Sequence, residues 1–274
     1  MKNIIVPVDF SKSANNAAEF ACNIALFYTA EIWLYHCYEM PLITGEFPAP
    51  LYDVNDLQIA ADYELNLLSN SLQNKLRSKV TIHIKAEANL LPTGLSNFCD
   101  VIKPSLVVIG LSGGNALTKL VVGSNTIRII HALTYPVLVI PPKASFTPVR
   151  KIGFACDYKE IEATTPVTLL KKIVTDFNAV LYVLNVDYKD KNFTDELVEE
   201  VFVLKDLLNE IDPVYKSIEA ESITEGINQF IAKENLDWLT VIPKKHTVLQ
   251  KIFSRSSSKD LLYHTSVPIL CVHQ

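Results

Sequence analysis

The sequence has little glycine, few cysteines, no excess of basic residues and no long apolar run, and each shortage excludes a class of protein. A membrane helix needs about 20 consecutive apolar residues, but charged residues, Asn or Pro interrupt every run. The formal net charge is −5 at pH 7, so no basic face is expected for nucleic acid. The first residues carry Pro7 and Asp9, where a secretory signal would need an apolar segment.

Cysteine and histidine usage points away from disulfides and metal sites. The five cysteines are odd in number and widely spaced (Cys22, Cys37, Cys99, Cys156 and Cys271). Such spacing favours reduced thiols in a cytoplasm over a disulfide framework. The six histidines show no ligand spacing with one another or with the cysteines. We therefore expect a cytoplasmic protein without a metal site of its own.

The composition that remains fits two α/β domains. The chain has 274 residues, of which 49% are hydrophobic and 20% charged, enough for about two typical domains with apolar cores. In the first half, apolar runs predict strands at 3–8, 31–37, 80–86, 106–109 and 137–140. Amphipathic patterns predict helices at 13–28, 56–77 and 92–102, with another beginning at Ser124. This alternation predicts a parallel, doubly wound sheet with helices on its faces.

The second half repeats this order. Residues 150–158 (RKIGFACDY) resemble residues 2–10 (KNIIVPVDF), and residues 178–186 resemble residues 29–37. Three later pairs share an offset of 132, namely Gly94/Gly226, Ser124/Ser256 and Pro136/Pro268. A constant offset indicates duplication. We predict two tandem domains, 1–143 and 149–274, each with a five-stranded parallel sheet flanked by helices.

Four of the eight glycines lie between residues 110 and 123, after the fourth strand. Gly110 ends the strand, Gly113 follows, and Gly123-Ser124 meets the next helix. Glycines let backbone amides approach a ligand, and a helix N-terminus adds unpaired donors, which suits phosphates. Asp9, at the carboxyl end of the first strand, suits a ribose hydroxyl or a metal carried by the phosphates. Two alternatives stay open: the glycines form only tight turns, or Asp9 caps the following helix.

These motifs together resemble the universal stress protein family. The resemblance rests on Gly110-x2-Gly113-x9-Gly123-Ser124, VPVDFS at the first strand and YPVLVIP at the last. It implies the adenine-nucleotide α-hydrolase-like fold and ATP binding. By resemblance, Asp9 contacts the ribose, and Pro7, Val8 and Cys37 lie against adenine. The phosphates would then contact Gly110, Leu111, Gly113, Gly123, Ser124 and Asn125, with any Mg²⁺ near Asp9.

The second copy departs from this pattern. At the offset of 132, Ile242 replaces Gly110, Lys245 replaces Gly113 and Arg255 replaces Gly123. Side chains at these positions would fill the space for phosphates. We therefore expect no nucleotide in the second domain.

Three functions remain open for the chain. The first is an ATP-binding, nucleotide-dependent stress regulator, the second a weak ATPase, and the third a small-ligand or protein-interaction scaffold without nucleotide. No set of acid, base and nucleophile predicts an enzyme beyond slow hydrolysis. By resemblance, the final strands, 135–140 and 267–272, would pair the two domains within the chain. A further homodimer is compatible with this pairing but not required.

Overall fold

The computed structural model describes residues 1–39, 54–111, 124–187, 195–243 and 267–273. Contacts between Cα atoms divide the chain into two units, and among the described residues the division falls between Pro142 and Lys143. Each unit alternates strands with helices. The predicted α/β fold is confirmed.

In the first unit, strands and helices alternate along the whole chain. Its elements are β1 (Asn3–Pro7), α1 (Lys12–Tyr28), β2 (Glu31–Tyr38), α2 (Val54–Leu76), β3 (Ile82–Ala88), α3 (Leu91–Ile102), β4 (Leu106–Gly110), α4 (Ser124–Ala132) and β5 (Val137–Ile140). The strands pair in parallel in the order β3-β2-β1-β4-β5. The chain therefore moves outward in one direction through β2 and β3 and in the other through β4 and β5. The order reverses between β1 and β4, where open α/β sheets bind ligands.

Right-handed crossovers in this strand order place α1 and α2, which contact each other, on one face of the sheet, and α3 and α4, which also contact each other, on the other face. The central strands β1, β4 and β5 are apolar almost throughout; Ile4, Ile5 and Val6 of β1 are fully buried, as expected for a sheet covered on both sides. The predicted third strand begins later than expected, at Ile82, although Val80 before it is buried. Apolar content alone did not locate that boundary.

Helix α1 begins and ends at defined caps. Ser11 is its N-cap, and the Ser11 hydroxyl accepts a hydrogen bond from the Ala14 amide at 3.2 Å. Thr29 ends the helix in the left-handed region, with φ 51°. Its buried face is rich in small residues (Ala14, Ala17, Ala18, Ala21 and Ala25, among larger side chains). Small side chains let the helix backbone approach the sheet closely.

The second unit has the same order of strands. Its elements are β6 (Lys151–Ala155), α5 (Ile161–Thr164), α6 (Val167–Phe177), β7 (Val180–Asp187), α7 (Asp195–Leu207), a 3-10 turn (Asn209–Ile211), β8 (Val214–Glu219), α8 (Ile223–Glu234), β9 (Trp238–Val241) and β10 (Ile269–Cys271). The described parallel pairs give the order β10-β9-β6-β7-β8. Where the first unit has the continuous helix α1, the second has α5 and α6, which separate at Thr165-Pro166. Proline removes a backbone donor and interrupts a helix.

The five cysteines are not bonded to one another, and all but Cys37 are buried. Burial raises the pKa of Cys22 and of Cys99 to about 12. These thiols therefore behave as small apolar core groups. In the described parts of the chain, we find no helix with the length and apolar character needed to cross a membrane.

Candidate functional site

The turn between β1 and α1 presents Asp9 at the carboxyl edge of the sheet. The Val8 amide still donates to the Tyr35 carbonyl of β2 at 2.8 Å, so Val8 continues the ladder beyond Pro7. Asp9 is exposed, and its Oδ1 accepts a hydrogen bond from the Ser11 amide at 3.0 Å. Phe10 between them has φ 61°, in the left-handed region. The Asp9 side chain thus closes a local turn of the kind that Asp favours.

This turn rules out the alternative that Asp9 caps the helix, since Ser11 is the N-cap of α1. An ionised carboxylate has about four acceptor positions, and the hydrogen bond from Ser11 uses one of them. Asp9 therefore has a structural role and keeps capacity for a ligand hydroxyl.

A chain of polar side chains lies at the carboxyl ends of β2 and β3. The Cys37 thiol donates to Tyr35 Oη at 3.1 Å, and Tyr35 donates to Glu87 Oε2 at 3.1 Å. Asn89 Nδ2 donates to the other oxygen of Glu87, also at 3.1 Å. Burial is the main cause that raises the pKa of Cys37 above its ordinary value. Cys37 is therefore half-buried and protonated, and its thiol is suited to lining the site rather than to acting as a nucleophile.

The structure explains Gly110 by packing. A Cβ built on Gly110 would lie 2.6 Å from the carbonyl carbon of Ser13 and 2.9 Å from the Ala14 amide nitrogen. Both are backbone atoms of the first turn of α1, which cannot easily move to make room for a side chain. Glycine at this position therefore lets α1 lie directly on the end of β4. The sequence pattern also favours Gly110 for the approach of a ligand, so this packing is a second, separate reason for glycine.

The remaining predicted residues lie after β4. Leu111 is buried, and its amide donates to the Ile140 carbonyl at 2.9 Å, which extends the pairing with β5. Ser124 and Asn125 form the first residues of α4. Gly113 and Gly123 lie outside the described residues. The structure thus brings Pro7, Val8, Asp9, Cys37, Gly110 and Leu111 to one edge of three neighbouring strands.

His36 lies at the same edge, but the sequence patterns assigned it no role in the site. Its Nδ1 lies 2.7 Å from the Val8 carbonyl oxygen, and its ring centroid lies 4.6 Å from that of Phe10. A signal was present: the aligned position in the second half holds another polar side chain, Asn185.

The second unit keeps the turn of the first. Lys159 donates its amide to Asp157 Oδ1 at 3.3 Å, and Tyr158 between them has φ 50°. The Asp157 carboxylate therefore stabilises this turn whether or not a ligand binds. Retention of this aspartate alone does not indicate a second nucleotide site.

The space beside Asp157 is small. A cavity of about 10 Å³ lies beside it, enough for about one water molecule. Its lining residues are Ala155, Cys156, Asp157, Ile161, Thr164, Thr165 and Ile242. Ile161 is fully buried there, and its amide donates to Glu200 Oε2 of α7 at 2.8 Å. Among the described residues, Asp157 is thus half-buried, whereas Asp9 of the first unit is exposed. Lys245, Arg255 and Ser256 lie outside the described residues.

The described residues do not gather metal ligands at either site. Among the described residues, no group of three or more His, Cys, Asp or Glu side chains could hold a metal ion.

Comparison with known proteins relates this architecture to one family. Residues 1–141 match the model of the universal stress protein family. A curated relative, Universal stress protein MJ0531 of Methanocaldococcus jannaschii, is 26% identical over 149 residues, 51% of this chain and 81% of its own length.

Solved structures match over almost the whole chain. A universal stress protein from Archaeoglobus fulgidus gives a TM-score of 0.72 at 14% identity and covers 99% of this chain and 96% of its own. A putative universal stress protein from Pseudomonas aeruginosa gives a TM-score of 0.61 at 14% identity, over 99% of this chain and 93% of its own. At this identity the likeness concerns the fold, and it extends over both units.

Proposed function

Because the chain belongs to the universal stress protein family, we propose that its first unit binds one ATP and acts as a nucleotide-dependent stress regulator. The observation that carries the proposal is the exposed Asp9 carboxylate at the edge where the strand order reverses, between β1 and β4. Ligands of open α/β sheets bind at such a point. Cys37, the penultimate residue of β2, and Gly110, the last residue of β4, lie on either side of β1.

Each residue at this edge has a proposed contact. Asp9 would accept hydrogen bonds from the ribose hydroxyls, and Pro7, Val8 and Cys37 would contact the adenine. The phosphates would meet Gly110 and Leu111 at the end of β4, and then Gly113, Gly123, Ser124 and Asn125. The start of α4 supports this assignment, since amides of a helix N-terminus favour anions. Mg²⁺ is commonly held by one carboxylate and the phosphates themselves, so Asp9 would suffice on the protein side.

We propose binding rather than rapid turnover. The raised pKa of Cys37 keeps its thiol protonated, and the Ser11 amide already engages Asp9 Oδ1. Neither group is arranged as a strong base or nucleophile. A weak ATPase is the second candidate, and a turnover assay with Mg²⁺ separates it from a regulator.

We propose that the second unit binds no ATP, because Ile242 and helix α5 leave room for about one water beside Asp157. The origin of the two units by duplication, a cytoplasmic location, a homodimer and pairing through the final strands all stay predictions.

Isothermal titration calorimetry tests the proposal on the full chain after any co-purified nucleotide has been removed. We expect one Mg-ATP per chain and no binding by Gly123→Val, whose side chain would occupy the phosphate space. A stoichiometry near two would contradict the proposal for the second unit. No binding by the native chain would favour the scaffold function instead.

A further inference from the structure

The side chain of His36 holds the last carbonyl of the β1 extension. Val8 pairs with β2 through its own amide, which donates to the Tyr35 carbonyl at 2.8 Å. The carbonyl oxygen of the same residue lies 2.7 Å from His36 Nδ1, also of β2. A carbonyl only accepts hydrogen bonds, so Nδ1 must carry the proton. Both polar groups of Val8 are therefore fixed by β2, immediately before Asp9.

The second unit makes the same contact with a different side chain. Asn185 Nδ2 donates to the Cys156 carbonyl at 2.9 Å, and the Cys156 amide donates to the Leu184 carbonyl at 2.9 Å. Cys156 precedes Asp157 as Val8 precedes Asp9. An imidazole and a carboxamide differ in shape, but both provide an N–H donor at this position. The common feature is thus a side-chain donor to the carbonyl before the aspartate.

His36 also contacts the residue after the aspartate. Its ring lies 4.6 Å from the Phe10 ring at an angle of 41°, and Phe10 carries the positive φ of the turn. The side chain therefore touches the chain on both sides of Asp9, at the Val8 carbonyl and at the Phe10 ring. Asp9 itself is exposed, so these neighbours hold its backbone in place.

We propose that His36 is a positioning residue of the nucleotide site, which fixes the peptide between Val8 and Asp9 so that the carboxylate is preorganised for the ligand. Preorganisation improves affinity because less freedom is lost on binding. This inference rests on the proposed function, and it adds a residue that acts through Asp9.

The variants exchange the two donor side chains found in the chain, His36 in the first unit and Asn185 in the second. His36→Leu removes the N–H at similar size, His36→Asn restores it as in the second unit, and Asn185→Leu makes the matched deletion there. We expect His36→Leu to weaken ATP binding about tenfold, the equivalent of one hydrogen bond. His36→Asn should lie within about threefold of the native affinity on the same scale. Asn185→Leu should lower stability in urea without changing ATP affinity.

A second measurement needs no nucleotide. The Ser11 amide donates to Asp9 Oδ1, so its hydrogen exchange, followed by NMR, reports whether the turn is held. His36→Leu should speed this exchange, and His36→Asn should return it to the native rate. If His36→Leu does not fold, His36→Ala replaces it in both measurements.

The two proposals fail in different ways. Native chain that binds no ATP contradicts the proposed function, while the exchange measurement still decides the role of His36. Unchanged Ser11 exchange in His36→Leu overturns that role, as does native ATP affinity in this variant or a failure of His36→Asn to restore it.

Discussion

Gly110 at the end of β4 lies directly against Ser13 in the first turn of α1. A Cβ at this glycine would be 2.6 Å from the Ser13 carbonyl carbon. The corresponding residue of the second unit is Ile242, and there the helix is broken into α5 and α6. Ile242 lines one small pocket with Ile161, Thr164 and Thr165 at this break, whereas Gly110 has backbone of α1 directly against it.

Replacing Gly110 with alanine should therefore lower the free energy of unfolding by about 1 to 3 kcal/mol, the usual cost of overpacking. Urea denaturation measures the loss. Gly153→Ala is the matched control, since its Cβ would meet Leu236 Cδ1 at 2.6 Å, the end of a flexible side chain that can turn away. Equal losses in the two variants would contradict a backbone clash at Gly110.

The two roles of Asp9 can be separated by substitution. Asp9→Asn keeps an oxygen for the Ser11 amide but removes the charge, so we expect unchanged stability and ATP binding weaker by about 1 kcal/mol. Asp9→Ala also loses the turn contact and should weaken binding by about 1 to 3 kcal/mol. Calorimetry with parallel urea denaturation measures both effects. Asp157→Asn should leave affinity unchanged; full affinity in Asp9→Ala would refute the ribose contact.

The buried thiols predict loss of stability at alkaline pH. Burial raises the pKa of Cys22 from 9.0 to about 12, so between these values the folded chain keeps a proton that the unfolded chain releases. The unfolded state then binds fewer protons, and the free energy of unfolding falls as pH rises, by up to about 1.4 kcal/mol per pH unit for each such thiol. Below pH 9 the thiol is protonated in both states, so the folded chain keeps its full stability there.

Urea denaturation under reducing conditions at pH 8 and pH 10.5 measures this slope. Cys22→Ala removes one of the titrating groups and should lose less stability over the interval than the native chain. An equal loss in both proteins would show that Cys22 is not the source. Cys99, whose pKa is also raised to about 12 by burial, provides an independent second variant.

The sequence predicted the fold well because its signals are local. Apolar runs such as Leu106–Ile109 mark buried strands, and the spacing of alanines in α1 marks its buried face. Asp9 and Cys37 could be assigned to one edge because parallel strands end on the same side of a sheet. These inferences need only periodicity and strand direction.

Contacts between distant segments could not be predicted in this way. His36 reaches Val8 across 28 residues, and nothing in its own sequence neighbourhood specifies that partner. Gly110 looked like part of a ligand loop, since glycine is favoured equally by close approach to a ligand and to a helix.

The break in the second unit gives a final prediction about its binding capacity. Ile242→Gly removes the side chain that replaces Gly110, yet helix α5 remains, with buried Ile161 held by the hydrogen bond from its amide to Glu200. We expect no second ATP site and a stability loss of about 3 to 5 kcal/mol, as for other large truncations in a core. The measurement is sharpest in a Gly123→Val background, where the first site is closed and the expected calorimetric heat of binding is zero. Saturable ATP binding by the double variant would show that Ile242 alone had closed the second site.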